Sequence, residues 1–132
     1  MTTKALIDKV EAGAIYQEKI YDYWVTCYLK NDFKIILFDY ELLDITKYIN
    51  KNVEININSL FVEKGIKKDL RHFQGMIIEQ SNEFYFTNDF INIQVSKEDI
   101  DNENIELNRV SDFSFGRLDL VGLKELTNDD NA

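Results

Sequence analysis

Residues 15–29, IYQEKIYDYWVTCYL, decide the fold class. Tyr21, Tyr23, Val25, Cys27 and Leu29 share one face, and Ile20, Trp24, Thr26 and Tyr28 share the other. A period of two is the mark of a strand, because successive side chains of a pleated backbone point to opposite sides. Both faces are largely apolar, which predicts a long, central strand. The polar break Lys30–Asn31–Asp32 follows, and FKIILF over residues 33–38 alternates again with Phe33, Ile35 and Leu37 on one side. The two stretches predict a hairpin.

The same alternation recurs downstream. Val53, Ile55, Ile57 and Ser59 interleave with Glu54, Asn56 and Asn58, a strand with one wet face. Residues 40–50 lose the alternation and read as a helical turn or ordered connection, and IKKDLRH over 66–72 reads as one more turn. Strands are expected over 73–80, with Gly75 as a bulge, over 84–87, over 90–95 and in one or two segments between 105 and 123. Upstream, Thr2 and Thr3 are placed to cap a short helix over 4–12, with Leu6, Ile7 and Val10 as its apolar stripe and Gly13 as its stop. The expected fold is therefore mainly β, a small antiparallel barrel or sandwich with a short N-terminal helix. Its rhythm of long hairpin, helical connection and further meander is similar to that of small OB-like barrels. One β-rich domain is expected over residues 1–126, with a polar tail over 127–132.

The 132 residues carry 45% hydrophobic and 30% charged side chains, an ordinary globular balance, with nine Phe, seven Tyr, one Trp and no Pro. The formal charge is −9: −2 over residues 1–66 (8 basic, 10 acidic) and −7 over 67–132 (7 basic, 14 acidic). That balance speaks against a polyanion partner, since phosphate neutralisation by Lys and Arg supplies much of nucleic-acid affinity. It suits solubility or attraction to a basic partner. No apolar run approaches 18 residues, so no membrane-spanning helix is expected. MTTKALIDKVEAGA lacks the apolar stretch of a signal peptide, and a single cysteine forms no internal disulfide, so a reducing, cytoplasmic setting is expected.

Familiar catalytic constellations are missing. Cys27, between Val25 and Leu29 on its strand face, reads as a small buried hydrophobe, and His72, beside Arg71 and Phe73, as a surface histidine at a loop-to-strand junction. Asp99, Asp101 and Glu103 alternate like calcium ligands. However, Asn104 stands where that loop needs glycine and Val110 where it needs a bidentate glutamate, so KEDIDNENIE over 97–106 reads as a solvated loop. Asp39, Glu41 and Asp44 are read as solvating carboxylates, and Asp119 as an outward residue within reach of Arg117 or Arg109. The five glycines are scattered, and one Cys and one His do not make a zinc site. No catalytic residue, cofactor or metal is assigned.

A binding role remains. Tyr16, Tyr21, Tyr23, Trp24, Tyr28, Phe33, Phe38, Tyr40 and Tyr48 crowd the first half, more rings than one hairpin can bury, and surface Tyr and Trp are the types that anchor protein interfaces. Tyr23 and Trp24 are the expected anchors, with Glu98, Asp99, Asp101, Glu103 and Glu106 steering a basic protein partner. A small acidic domain of this kind resembles the bacterial immunity proteins, which neutralise toxins, many of them basic nucleases. The alternatives are an OB-like module for a ligand or single-stranded nucleic acid, using Lys30, Lys34, Lys47, Lys51, Lys67, Lys68 and Arg71 as a basic groove, and a structural subunit of a larger assembly.

Overall fold

The computed structural model describes residues 1–126, so the tail expected over 127–132 lies outside the described residues. The chain is mainly β. Five strands close into a barrel: β1 (Thr3–Ala12), β4 (Tyr23–Tyr28), β5 (Lys34–Asp39), β6 (Asn52–Ser59) and β12 (Leu118–Glu125). Around the barrel the order is β1-β4-β5-β12-β6, with β6 pairing back onto β1. All neighbours are antiparallel except β5 and β12, which meet in parallel at Asp119 and Phe38. Ile7, Val25, Cys27, Ile35, Leu37, Val53, Ile55 and Leu120 are buried as the inward set of these strands.

The helix expected over residues 4–12 is instead strand β1. Thr3, Ala5 and Ile7 alternate as buried residues with exposed Lys4, Leu6 and Asp8. The register then slips between Ile7 and Lys9, so that Val10 is also packed against the core. A bulge that inserts one residue converts the period of two into a three-residue step from Ile7 to Val10, and that step imitates a helical stripe.

The hairpin of β1 and β4 extends beyond the barrel through β2 (Ile15–Tyr16) and β3 (Lys19–Ile20). Its tip is Gln17–Glu18, both at positive φ (49° and 66°), as a two-residue turn matched to strand twist requires. Gly13 N–H donates to Asp22 O and Tyr21 N–H to Ala14 O, each at 2.9 Å, which joins the tip to the barrel strands.

Residues 60–117 lie between the last two barrel strands and build the second half. They hold β7 (Val62–Lys64), β8 (Arg71–Gln80), β9 (Glu83–Thr87), β10 (Asn92–Val95), the helix α1 (Lys97–Asn102) and β11 (Ser111–Phe115). Leu60 N–H donates to Arg117 O and Gly116 N–H to Phe61 O, each at 2.9 Å. These bonds carry the β6–β12 ladder into the β7–β11 ladder, and one antiparallel ribbon runs through both halves. The other strands follow in the order β10-β9-β8-β11-β7, and β10 returns to β6 at Gln94 and Asn58. Ser81–Asn82, both at positive φ, turn β8 into β9.

The second half has an aromatic centre. Phe86 is fully buried, with its ring centroid 5.0 Å from that of Phe115, 5.8 Å from Phe113 and 6.2 Å from Phe73. Gly75 is not a bulge. It pairs in register with Ser111, and a Cβ there would lie 2.5 Å from Thr87 O and 2.6 Å from the Phe86 ring. The glycine is therefore a requirement of close approach. Segment 97–106, expected as a loop, begins with α1: Ser96 Oγ accepts from Asp99 N–H at 3.1 Å, and Ile100 is buried beneath the turn. Among the described residues no helix is long and apolar enough to cross a membrane.

Candidate binding surface

Pleating sets the outer face of β4 and β5. With Val25, Cys27, Ile35 and Leu37 inside, Trp24, Ile36 and Phe38 point out, and Tyr40 continues the row beyond the end of β5. Trp24 and Phe38 sit opposite each other on the two strands with ring centroids 4.8 Å apart, and Phe38 and Tyr40 are 6.3 Å apart. The Arg117 guanidinium lies 4.2 Å from the Phe38 centroid and 6.0 Å from that of Tyr40. It is held there by Asp119, which accepts from Nε at 2.6 Å and from Nη2 at 3.2 Å. This hydrogen-bonded pairing raises the guanidinium pKa above its ordinary value. The result is a preset row of three mutually tilted rings, two of which, Phe38 and Tyr40, lie under a planar cation in a contact stabilised by the ring quadrupole.

Beside this row the outer face drops into a cleft of about 750 Å³ between the barrel and the second half, bounded by Trp24, Ile36, Phe61, Leu70, Arg71 and Arg117. Its volume lies in the range of ligand-sized pockets, roughly 300–1,000 Å³. Gly116 forms part of the wall, and a Cβ at that position would come within 2.5 Å of the Phe61 ring. At the far end Arg71 is stacked on two rings, 5.0 Å from the Phe33 centroid and 5.5 Å from that of Phe73. Its Nη2 donates to the Lys34 carbonyl. Partial burial lowers the Arg71 pKa from its ordinary value, and a guanidinium remains a cation at neutral pH. Exposed Lys34 adds a second positive charge at this end.

The apolar exposure extends outward from the row. Trp24 is 42% exposed, Ile36 53% and Tyr40 48%, and Leu42 is exposed beyond them. The projecting hairpin adds exposed Ile15, Tyr16 and Tyr21.

The residues singled out in the sequence fall in two places. Trp24 stands on the outer face, whereas Tyr23, one position earlier, is half-buried and packs against the core. The carboxylates lie on α1 and the turn after it. Glu98, Asp101 and Glu106 are exposed, and Asp99 and Glu103 are half-buried. Glu103 Oε1 accepts from Lys64 N–H at 2.9 Å, and Glu106 pairs with Arg109 at 2.9 Å, so two of the five also have work within the fold. Of the basic residues considered for a groove, Lys34 and Arg71 line the cleft, Lys47 pairs with Asp44 and Lys51 with Glu125. Arg117, Phe61 and Leu70 were not foreseen as site residues. The only signal for Arg117 was its neighbour Asp119, while Phe61 and Leu70 reach the cleft through tertiary structure alone.

Cys27 is fully buried, and burial pushes its thiol up to about 12, whereas His72 is exposed on β8 opposite Ser114. A thiol in that state is a poor nucleophile. Asp39 is buried and accepts from the N–H groups of Glu41 at 3.1 Å and Leu43 at 3.0 Å, which ties down the chain leaving β5. No group of three His, Cys, Asp or Glu side chains is placed to hold a metal ion among the described residues. No family model matches the chain, and no curated protein or solved structure is significantly similar to it.

Proposed function

We propose that this chain is a non-catalytic protein-binding module whose working surface is the outer face of β4 and β5. The observation that carries this reading is the Trp24–Phe38–Tyr40 row, capped by Arg117 and continued by exposed Ile36 and Leu42. Trp, Tyr and Arg dominate interface hot spots, and here they are already ordered, so binding loses little side-chain entropy. Counting only the barrel strands along the chain, the order around the ring is 1-2-3-5-4-1, with strands 3 and 5 parallel. That order supports an OB-like reading, a barrel type that binds through strands 2 and 3 and the loops beside them. In this chain those features correspond to β4, β5, the projecting 13–22 hairpin and the wall supplied by 60–117.

The net charge of −9 favours a basic partner, steered from a distance by groups such as Glu98 and Asp101, and a cytoplasmic inhibitor of immunity type fits such a partner. The test is affinity capture from the source organism followed by calorimetry with the purified partner. Trp24→Ala and Tyr40→Ala are each expected to weaken binding about 30-fold, the scale of a 2 kcal/mol hot spot. Affinity unmoved by both substitutions overturns the reading. A second reading, as a single-stranded nucleic-acid module, draws on Lys34 and Arg71 beside Trp24, because bases stack on such rings at about 1–3 kcal/mol each. Retention of an oligothymidylate in a low-salt filter assay would favour it.

A further inference from the structure

The cleft has one wall made of backbone. Strand β5 pairs with β4 along its whole length, but its other edge meets β12 only at Phe38. Phe33 O is taken by Leu29 N–H on the β4 side, while Lys34 O is taken by Arg71 on the cleft side. Alternate residues of a strand present their N–H and C=O to the same edge. The N–H and C=O of Ile36 therefore also face the cleft side, where no strand of the described residues pairs with Ile36. An unpaired strand edge is a template for another extended chain.

Resting on the protein-binding reading above, we infer that this cleft accepts an extended segment of the partner, which adds to the free edge of β5 and carries an acidic side chain next to a large apolar one. Main-chain bonds to Ile36 supply the backbone pairing, and alternate side chains of the segment then point into and out of the cleft. The apolar side chain fills the space between Trp24, Phe61 and Leu70, and the carboxylate meets Arg71 and Lys34 at the far end. Neither of these cations has an ion-pair partner within 4 Å among the described residues, unlike Arg117, whose charge Asp119 answers. The cleft wall also holds one carboxylate, Asp69, but it forms no ion pair with either cation, and Arg71 and Lys34 outnumber it. On a body of charge −9, that local excess of positive charge selects an anionic group at that point. The carboxylate would receive charge-assisted hydrogen bonds from a guanidinium already oriented by Phe33 and Phe73. A long single strand fits less well, because its repeated phosphates would meet the acidic remainder of the surface.

The experiment is selection of a random twelve-residue peptide library on the immobilised full chain, then fluorescence anisotropy with the enriched peptide and with a twelve-residue oligothymidylate. Enriched peptides are expected to alternate apolar residues with at least one Asp or Glu. Ile36→Pro removes the N–H that faces the cleft and leaves the β4 ladder its donors; Lys34→Glu reverses a charge on an exposed side chain. Each is expected to weaken the peptide at least tenfold, with circular dichroism and amide NMR spectra confirming that the variant is folded. If Ile36→Pro fails to fold, Lys34→Glu alone decides. Enrichment of no acidic peptide, equal binding by the folded variants, or oligothymidylate bound more tightly than any peptide overturns the inference. In the first two cases the partner-binding face still stands if Tyr40→Ala weakens the captured partner.

Discussion

Raising the pH from 7 to 10 should remove stability through one buried thiol. Cys27 is fully buried in the barrel, and desolvation pushes its pKa from 9.0 to about 12. In the folded protein the group stays protonated over this range, whereas in the unfolded chain it ionises from about pH 9 upward. The unfolded state therefore binds fewer protons, and stability falls as pH rises between the two pKa values. At pH 10, one unit above the unfolded value, the loss is about 1.4 kcal/mol, the linkage of one pKa unit. Tyr and Lys residues titrate in the same range, so the measurement is a difference. Urea unfolding of the parent and of Cys27→Ala is compared at pH 7 and pH 10. Cys27→Ala loses packing volume at every pH but has no thiol to ionise, so its deficit should shrink by about 1.4 kcal/mol at pH 10. A parallel labelling measurement at pH 8 should show Cys27 reacting with a thiol reagent only at the rate of unfolding. A deficit unchanged with pH, or fast labelling of the native protein, would refute the closed, dry barrel from which the shift derives.

Three further outcomes follow from the same packing. Phe86→Ala should cost about 3–5 kcal/mol by urea denaturation, because it empties the centre shared with Phe73, Phe113 and Phe115. It should do so in one transition if the two halves unfold together through their common ribbon. Gly75→Ala should destabilise by roughly 1–3 kcal/mol, since the new methyl meets the Thr87 carbonyl and the Phe86 ring, read as a drop in melting temperature. Asp39→Ala should lose about 2 kcal/mol by leaving the Glu41 and Leu43 N–H groups without their acceptor; Asp39→Asn should recover little of this, since its amide turns one acceptor into a donor.

Much of the β architecture was legible because its signal is local. The alternation read over residues 15–29 and 33–38, the break at Lys30–Asp32 and the turn at Ser81–Asn82 each show in a few consecutive residues. The hairpin, the break and the turn are present in the structure. The single long strand read over 15–29 is not, because the chain reverses at Gln17–Glu18 and only Tyr23–Tyr28 forms the barrel strand. Strand β1 was misread for two physical reasons. Two of its three leading inward positions are Thr3 and Ala5, which give little hydrophobic signal, and the bulge at Asp8 puts Ile7 and Val10 at helical spacing. The site was only half legible. Crowded aromatics on β4 and β5 marked the surface, and pleating alone explains why Trp24 serves it while Tyr23 packs against the core. Arg71 and Arg117 stand 47 and 93 residues from Trp24 in the chain, and only the long insertion between the last two barrel strands brings them to its side.

That insertion also reconciles two features that look contradictory from composition. The second half of the chain carries −7 of the −9 net charge, yet it supplies both arginines of the cleft. The carboxylates of α1 sit on a separate element, partly engaged with Lys64 and Arg109, while Arg71 and Arg117 are turned toward the barrel and immobilised on Phe33, Phe73 and Phe38. On the proposed function, long-range attraction and short-range recognition would fall to different surfaces. The acidic body would set which partners approach, with an influence that fades with salt over a Debye length of roughly 8–10 Å, and the aromatic–arginine face would set which of them stays. If that division holds, added salt slows association without changing the dissociation rate, whereas Trp24→Ala raises the dissociation rate and leaves the salt dependence of association intact. Stopped-flow measurement with the captured partner separates the two, and a salt effect confined to dissociation would place the attraction inside the contact itself.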